Sequence, residues 1–494
     1  MTLSPKQPLH QLMHPQHVAV IGASNNMLNM GARILSNLLS LKFQGGVFPV
    51  HPRLDQVLGL KAYADVRQIP LVPDLALIVV PTAIVSQVLQ ACGRKGIRQA
   101  IIISGGFREA GEDGRRRENE LIEIAQHYRI RFLGPNCIGV INPRHRFNTT
   151  MFHYTAAMEG FIGMVSQSGS FITQMFYHLE KFGLGFSQGF SVGNQADIDL
   201  ADCLEYLEDC ERTRVIGLYI EGITQPQKFM RIARRVSKTK PIVALYVGGT
   251  EGGSRAGWSH SGAMAGSDAI HDGVFRQCGI VRAFTIEELF DFCWVLGSQP
   301  PMKGNRVVIF THSGGPGAVA ADAVDRVGLK LPSLSPETRE KIRQRLPNTG
   351  SLNNPIDTTY FRRLDDILLH IPRILLEDPQ IDGILMYFLF MADNFERLSD
   401  QTDSPMFSSW AEFEKFVSGL CRRLADVAQS QAKPLLGSSF LMRSEKFIRD
   451  LEDFGIPILP SPERSARAME ALYRYSRMRE ALLRQKPVSS KGEK

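Results

Sequence analysis

Apolar residues in this chain come in short unbroken runs, each closed by a small-residue turn and followed by a stretch of helical period. "HVAVIGAS" (17–24) is the first such unit. "GVFPVHP" (46–52), "LALIVVPT" (75–82), "QAIIISGGF" (99–107) and "RFLGPNCIGVINP" (131–143) follow it. Strands alternating with helices predict a parallel sheet, and runs without polar alternation predict strands covered on both faces. A second series opens at "GFIGMVSQSGSFITQMF" (160–176). It continues through "GFSQGFSVGNQADIDL" (185–200), "VIGLYIEGI" (215–223), "PIVALYVGG" (241–249) and a helix around "IEELFDFCWVL" (286–296). "GSQPPMKGN" (297–305) is a Pro/Gly-rich break. A third series runs from "RVVIFTHSGGPGAVAADAV" (306–324) through "GILMYFLFM" (383–391) and "KPLLGSSF" (433–440) to a basic helical end. The prediction is an α/β chain of three doubly wound domains, 1–147, 148–299 and 300–494. The second and third openings share a strand, a Ser-Gly turn and a helix, as expected of one unit used twice.

Composition narrows the class. The chain has 494 residues, 44% hydrophobic and 22% charged, the balance of a water-soluble globular protein. No apolar run is long enough to span a bilayer, and the N-terminal residues carry no signal-peptide core, so no membrane association and a cytoplasmic location are expected. Seven cysteines lie scattered without CxxC or zinc spacing and are expected to be buried free thiols. The net charge is +7, but the basic residues are interspersed with acids outside "GRRRENE" (114–120) and the C-terminal tail. With no aromatic-interleaved basic stripe, no nucleic-acid binding is expected.

Four stretches carry candidate chemistry. Gly22-Ala23-Ser24 turns from the first strand toward a helix near Gly31, where small residues let a phosphate approach backbone N–H groups. It lacks GxGxxG, and the next strand ends in "VHPR", placing Arg53 where a NAD site needs an acid. That disfavours a NAD-dependent oxidoreductase and suits a phosphate-bearing nucleotide such as coenzyme A. In "SQSGS", Ser166, Gln167, Ser168 and Gly169 stand between a strand and a helix as an anion cradle; the spacing is not that of a serine-nucleophile elbow. Glu221, at a strand end in "YIEGI", is placed to orient an imidazole. His260 sits in "AGWSHSGAMAG" after the glycine-rich "GGTEGGSRAG", with small neighbours and no second ligand at metal spacing. One accessible imidazole on a mobile mount fits a phosphoryl carrier. His312 in "THSGGPG" has no such approach and is expected to be structural.

Taken together, "VAVIGAS", "VFPVHP", "SGGFREAGEDG", "GPNCIGVINP", "SQSGS", "SVGNQADIDLADCLEYLEDC", "YIEG" and "SHSGAMAGSDA" resemble the α subunit of NDP-forming acyl-CoA synthetases, relatives of succinyl-CoA synthetase. The resemblance runs from about residue 12 to 475, through "GGPG", "NNPID" and "GIPILPSPERSARAMEALYRY". It implies a Rossmann-like CoA-binding domain followed by two flavodoxin-like domains. The implied reaction interconverts acyl-CoA, phosphate and ADP with a carboxylic acid, CoA and ATP through an acyl phosphate and a phosphohistidine. By motif match His260 is the carrier, Glu221 its hydrogen-bonding acid, and Ser166, Gln167, Ser168 and Gly169 the phosphate site. Gly22, Ala23, Ser24, Val80, Pro81, Ser104, Gly105 and Asn136 match CoA contacts. Arg53 stands where relatives often have lysine, a change of hydrogen-bond geometry at constant charge. The sequence holds no ATP-grasp region and no Walker A motif. ADP or ATP with Mg2+ is therefore expected on a separate ATP-grasp β subunit in a hetero-oligomer, with CoA and a small carboxylic acid as ligands and no metal on this chain. The alternative is a non-catalytic CoA- or acyl-CoA-binding regulatory or scaffold protein.

Overall fold

The computed structural model describes residues 9–152, 159–253, 267–359, 363–389, 407 and 409–485. The chain divides into two compact units, Met1–Leu289 and Phe290–Lys494.

The first unit holds two sheets. The N-terminal sheet contains β1 (His17–Ile21), β2 (Gly46–Val50), β5 (Leu75–Ile78), β6 (Gln99–Ile102) and β7 (Arg131–Leu133) in the order β2-β1-β5-β6-β7, all parallel. A small hairpin of β3 (Gln56–Val57) and β4 (Leu60–Lys61) follows β2. Alternate residues of β1 enter different cores. Val18 and Val20 pack with Ile34, Leu35 and Leu77, whereas Ala19 and Ile21 pack with Val85, Leu89 and Phe132. Burial on both faces is why the run shows no polar alternation.

The second sheet contains β10 (Glu159–Ser166), β11 (Phe186–Ser191), β12 (Val215–Ile220), β13 (Ile242–Tyr246) and β14 (Ile280–Ala283), mutually parallel. Two more strands, β8 (Gly139–Asn142) and β9 (Phe147–Asn148), extend its edge in antiparallel sense, giving β14-β13-β12-β10-β11-β8-β9. "RFLGPNCIGVINP" is thus two strands in two sheets, parted by a turn in which Gly134 and Asn136 have φ +97° and +58°. β8 lies before the expected boundary at 147 and β9 straddles it, and both belong to the second sheet. One hydrophobic core runs beneath both sheets, joining Val18, Leu77 and Leu133 to Val165, Ile216 and Leu218.

The second unit is built on β15 (Val307–Thr311), β16 (Ile356–Asp357), β17 (Gly383–Tyr387), β18 (Leu435–Ser438) and β19 (Ile458–Leu459), all parallel, in the order β16-β15-β17-β18-β19. The three sheets repeat one plan: the second strand of each series lies outside the first, and the third to fifth lie on its other side. This is the 2-1-3-4-5 doubly wound order, whose ligand crevice opens at the carboxyl ends of the first and third strands. In the first unit those crevices fall at β1/β5 and β10/β12. Among the described residues no helix is long and apolar enough to cross a membrane.

Candidate functional site

The β1/β5 crevice is shaped by close backbone approach. Gly22 has φ +95°, and a Cβ there would lie 2.1 Å from the carbonyl oxygen of Val79. The following loop reaches a helix, Met30–Ser40, capped by Asn29, whose side chain accepts from the Gly31 N–H at 2.8 Å. Ala23 is fully buried and Ser24 half-buried. At the end of β5, Val80 and Pro81 lead into the helix Thr82–Lys95. The Ser104 hydroxyl donates to the Val80 carbonyl at 2.6 Å, and the Asn136 N–H donates to the Ser104 carbonyl at 2.9 Å. Thr82 Oγ1 donates to the Gly105 carbonyl at 2.5 Å. The structure therefore brings Gly22, Val80, Pro81, Ser104, Gly105 and Asn136 into one row along the strand ends. Arg53 stands apart, exposed three residues beyond β2, with its N–H on His51 Nδ1 at 3.2 Å.

Three further residues, none of them a candidate from sequence, lock this row. Glu109 Oε1 accepts the N–H groups of Gly106 and Phe107 at 2.6 and 3.1 Å. Asn194, from the turn after β11, donates from one amide nitrogen to Glu109 at 2.7 Å and to Glu118 at 2.8 Å, and its Oδ1 accepts from Asn136 at 3.3 Å. Glu118 is buried, which raises its carboxyl above the usual range against the opposing Asn194 and Arg108 interactions. A usable signal existed: Glu118 lies three and seven residues before Leu121 and Ala125, on the buried face of the helix Glu112–Tyr128.

The β10/β12 crevice has a different character. Ser166, the last residue of β10, is fully buried, and its hydroxyl donates to the Ser168 carbonyl at 2.7 Å. Ser168 is the N-cap of the helix Gly169–Glu180 in extended conformation, yet its side chain makes no capping bond; its Oγ lies 3.3 Å from Ser170 Oγ. No acidic residue occupies the first turn. N–H groups at the positive end of a helix dipole are suited to an anion. A Cβ on Gly169 would meet Ile138 at 2.7 Å, so this helix start fits tightly against the β8 approach.

Glu221, largely buried, follows β12 directly. Its charge, after burial itself, helps push the neighbouring Tyr219 hydroxyl up to about 12. Tyr219 in turn lies against Phe171, with ring centroids 4.5 Å apart. The Gln167 side chain joins the two sides of the crevice. Its Oε1 accepts the N–H of Glu221 and that of Gly222 (3.0 Å), and its Nε2 donates to the Gly222 carbonyl at 2.9 Å. Ser166, Gln167, Ser168, Gly169 and Glu221 therefore converge, but the Gln167 amide is engaged with backbone rather than with the helix start. His260 lies outside the described residues. The two crevices communicate through the turn after β11: Val192 N–H donates to the Ser166 carbonyl at 2.9 Å, two residues before Asn194.

His312, at the end of β15, is half-buried, and its Nε2 accepts the Leu389 N–H at 3.2 Å; burial lowers its basicity. Among the described residues no cluster of His, Cys, Asp or Glu is arranged to hold a metal ion.

Two strand-end crevices on one repeated α/β plan accord with what family models find. Residues 16–143 match a CoA binding domain, 159–296 a succinyl-CoA ligase like flavodoxin domain and 307–393 a ligase-CoA domain, which together define an acid–thiol ligase. Within that class the chain belongs to the α subunits of the ADP-forming acyl-CoA synthetases. It is 40% identical over 467 residues to the Acetate--CoA ligase (ADP-forming) II subunit alpha of Pyrococcus furiosus, covering 94% of this chain and 97% of that one. It is 36% identical to the I subunit alpha of the same organism, covering 95% and 98%. The solved structure of a Ca. Korarchaeum cryptofilum dinucleotide forming acetyl-coenzyme A synthetase 1, in complex with phosphate and ADP, superposes with a TM-score of 0.83 at 32% identity, covering 96% of this chain and 98% of that one.

Proposed function

We propose that this chain is the thioester- and phosphate-handling subunit of an ADP-forming acyl-CoA synthetase. Acyl-CoA is held at the β1/β5 crevice by Gly22, Ala23, Ser24, Val80, Pro81, Ser104, Gly105 and Asn136, with the exposed Arg53, apart from that row beyond β2, free to reach the nucleotide phosphates from solvent. Inorganic phosphate attacks the thioester carbonyl, the C–S bond breaks, and CoA leaves as the acyl phosphate forms. The imidazole of His260 then attacks phosphorus, breaking the P–O bond to the acyl group and releasing the carboxylic acid. Glu221 accepts a hydrogen bond from the far ring nitrogen, which fixes the tautomer and supports the charge that develops. The phosphohistidine finally transfers its phosphoryl group to ADP, held with Mg2+ on a separate ATP-grasp subunit, giving ATP.

The observation that carries this reading is the pairing across the β10/β12 crevice of a buried carboxylate with an acid-free helix start whose N-cap serine does not cap it. A phosphoryl group on an imidazole between them would meet N–H donors on one side while the carboxylate holds the ring from the other. The match to subunits named alpha at nearly full length supports a partner for the nucleotide step. The test is incubation of the chain with acetyl-CoA and radiolabelled phosphate. The expected product is a phosphoprotein labile to acid and stable to alkali, absent in His260→Ala. Binding of CoA with no label would instead favour a non-catalytic CoA-binding role.

A further inference from the structure

Gln167 was expected at the phosphate, and its surroundings assign it another task. Its side-chain amide matches the backbone of one residue: Nε2 donates to the carbonyl of Gly222 while Oε1 accepts that residue's N–H, and Oε1 also accepts the N–H of Glu221. The Gln167 N–H is itself committed to the Tyr219 carbonyl at 3.2 Å. Both ends of the residue thus tie the last turn of β10 to the segment carrying Glu221, across the open end of the crevice. Strand pairing cannot do this, because the β10/β12 register ends at Ser166↔Tyr219. Only glutamine has the reach and both polarities: asparagine is one methylene shorter, glutamate lacks the donor, and methionine lacks both.

We propose that Gln167 is a positioning residue that acts through Glu221, fixing the backbone from which the carboxylate reaches toward the carrier imidazole, rather than a ligand of the phosphate. The proposal rests on the role given to Glu221 above. It explains why the "SQSGS" stretch places an amide between two serines: the helix start receives the anion, and the amide sets the distance to the opposing acid. A carboxylate mispositioned by a fraction of an ångström holds the imidazole poorly, and loss of such an outer partner typically costs on the order of tenfold to a hundredfold in activity.

The test is a double-mutant cycle on the full chain, reading the initial rate of phosphoprotein formation from acetyl-CoA and labelled phosphate. Gln167→Met is expected to slow labelling on the order of tenfold to a hundredfold at saturating phosphate, with little change in the KM for phosphate. In a Glu221→Gln background the same change should add almost nothing. An equal cost in both backgrounds overturns the proposal, as does a raised KM for phosphate with an unchanged maximal rate, the mark of a direct ligand. Melting temperature and CoA binding report on folding; if Gln167→Met does not fold, Gln167→Glu, which keeps the acceptor for both N–H groups, takes its place in the cycle. The underlying reading fails separately: Glu221→Gln alone leaving labelling unchanged removes the role of Glu221, whereas slow Glu221→Gln with fast Gln167→Met removes only that of Gln167.

Discussion

A methyl group on Gly31 would stand 2.4 Å from the carbonyl oxygen of Gly22 and 2.9 Å from its carbon. Neither atom can yield, because both belong to the turn after β1. Gly31→Ala must therefore lift the helix Met30–Ser40 off the turn, at a cost of about 1–3 kcal/mol for overpacking. Calorimetric titration with CoA should show affinity falling about tenfold or more; unchanged affinity would separate this turn from the CoA site. The sequence shows no GxGxxG, yet Gly31 does the work of the last glycine there, nine residues after Gly22, because the intervening loop is longer and needs Asn29 as a cap. Spacing rules written for a short loop miss such a case. The cysteines were easier to read. All seven are buried and free, and burial pushes the Cys92, Cys137 and Cys421 thiols up to about 12. At neutral pH no thiolate forms at these positions. A thiol reagent should label the native protein negligibly and all seven after denaturation; rapid native labelling would contradict the burial. Asn194 is not legible in the sequence, since nothing in an Asn-containing turn shows that one amide bridges two carboxylates.

Among elements, the strands readable in the sequence are those whose apolar residues lie close together beside a small-residue turn, as in β1, β5 and β13. β14 escaped because Arg282 interrupts it: the guanidinium is buried, paired with Asp268 and stacked 4.6 Å over Phe284. β16 and β19 escaped because two residues carry no period. The antiparallel edge of β8 and β9 was hidden because its apolar residues abut those of β7 in the sequence. The N-terminal helix His10–Met13 supplies a testable pH response. His14 lies 4.8 Å from His10 and 5.4 Å from His145, ring centre to ring centre, with Asn142 Nδ2 3.5 Å from its nitrogens. Burial first, then the two neighbouring imidazoles, lowers its basicity from 6.5 to about 4. A pKa depressed by folding means that the unfolded chain takes up the proton first as pH falls. The contribution of His14 is therefore intact above 6.5 and is lost progressively down to about 4. His14→Phe keeps a ring in place and removes the proton site. The fall in melting temperature between about pH 7 and about pH 5 should be smaller in this variant than in the parent; an identical fall would place the acid response elsewhere.

At the scale of the whole molecule, the question is where one folding unit gives way to the next. The Pro/Gly-rich stretch at 297–305 predicts a boundary at 299/300, but the compact units divide at Leu289/Phe290, inside the helix Ile286–Ser298. Side-chain chemistry explains the difference. Asp291 forms a two-pronged pair with Arg464 at 2.7 and 2.7 Å, and Phe290, Phe292, Cys293, Trp294 and Val295 are buried. Gln299 at the helix end clamps the second unit, accepting from the Leu435 N–H at 3.0 Å and donating to the Gly455 carbonyl at 2.7 Å. Turn-forming residues mark where the chain bends, and a helix before the bend still belongs to whichever core buries it. A fragment beginning at residue 300 would leave Arg464 without the Asp291 carboxylate and would lose both bonds that Gln299 makes to Leu435 and Gly455. Losing the charge-assisted hydrogen bonds of this partly buried pair costs about 1.5–3 kcal/mol, a sizeable fraction of a domain's stability. A fragment beginning at residue 284 should unfold in one cooperative denaturant transition, whereas one beginning at 300 should aggregate or melt without cooperativity. Equal midpoints for the two fragments would show that the helix contributes nothing to the second unit and would return the boundary to the Pro/Gly stretch.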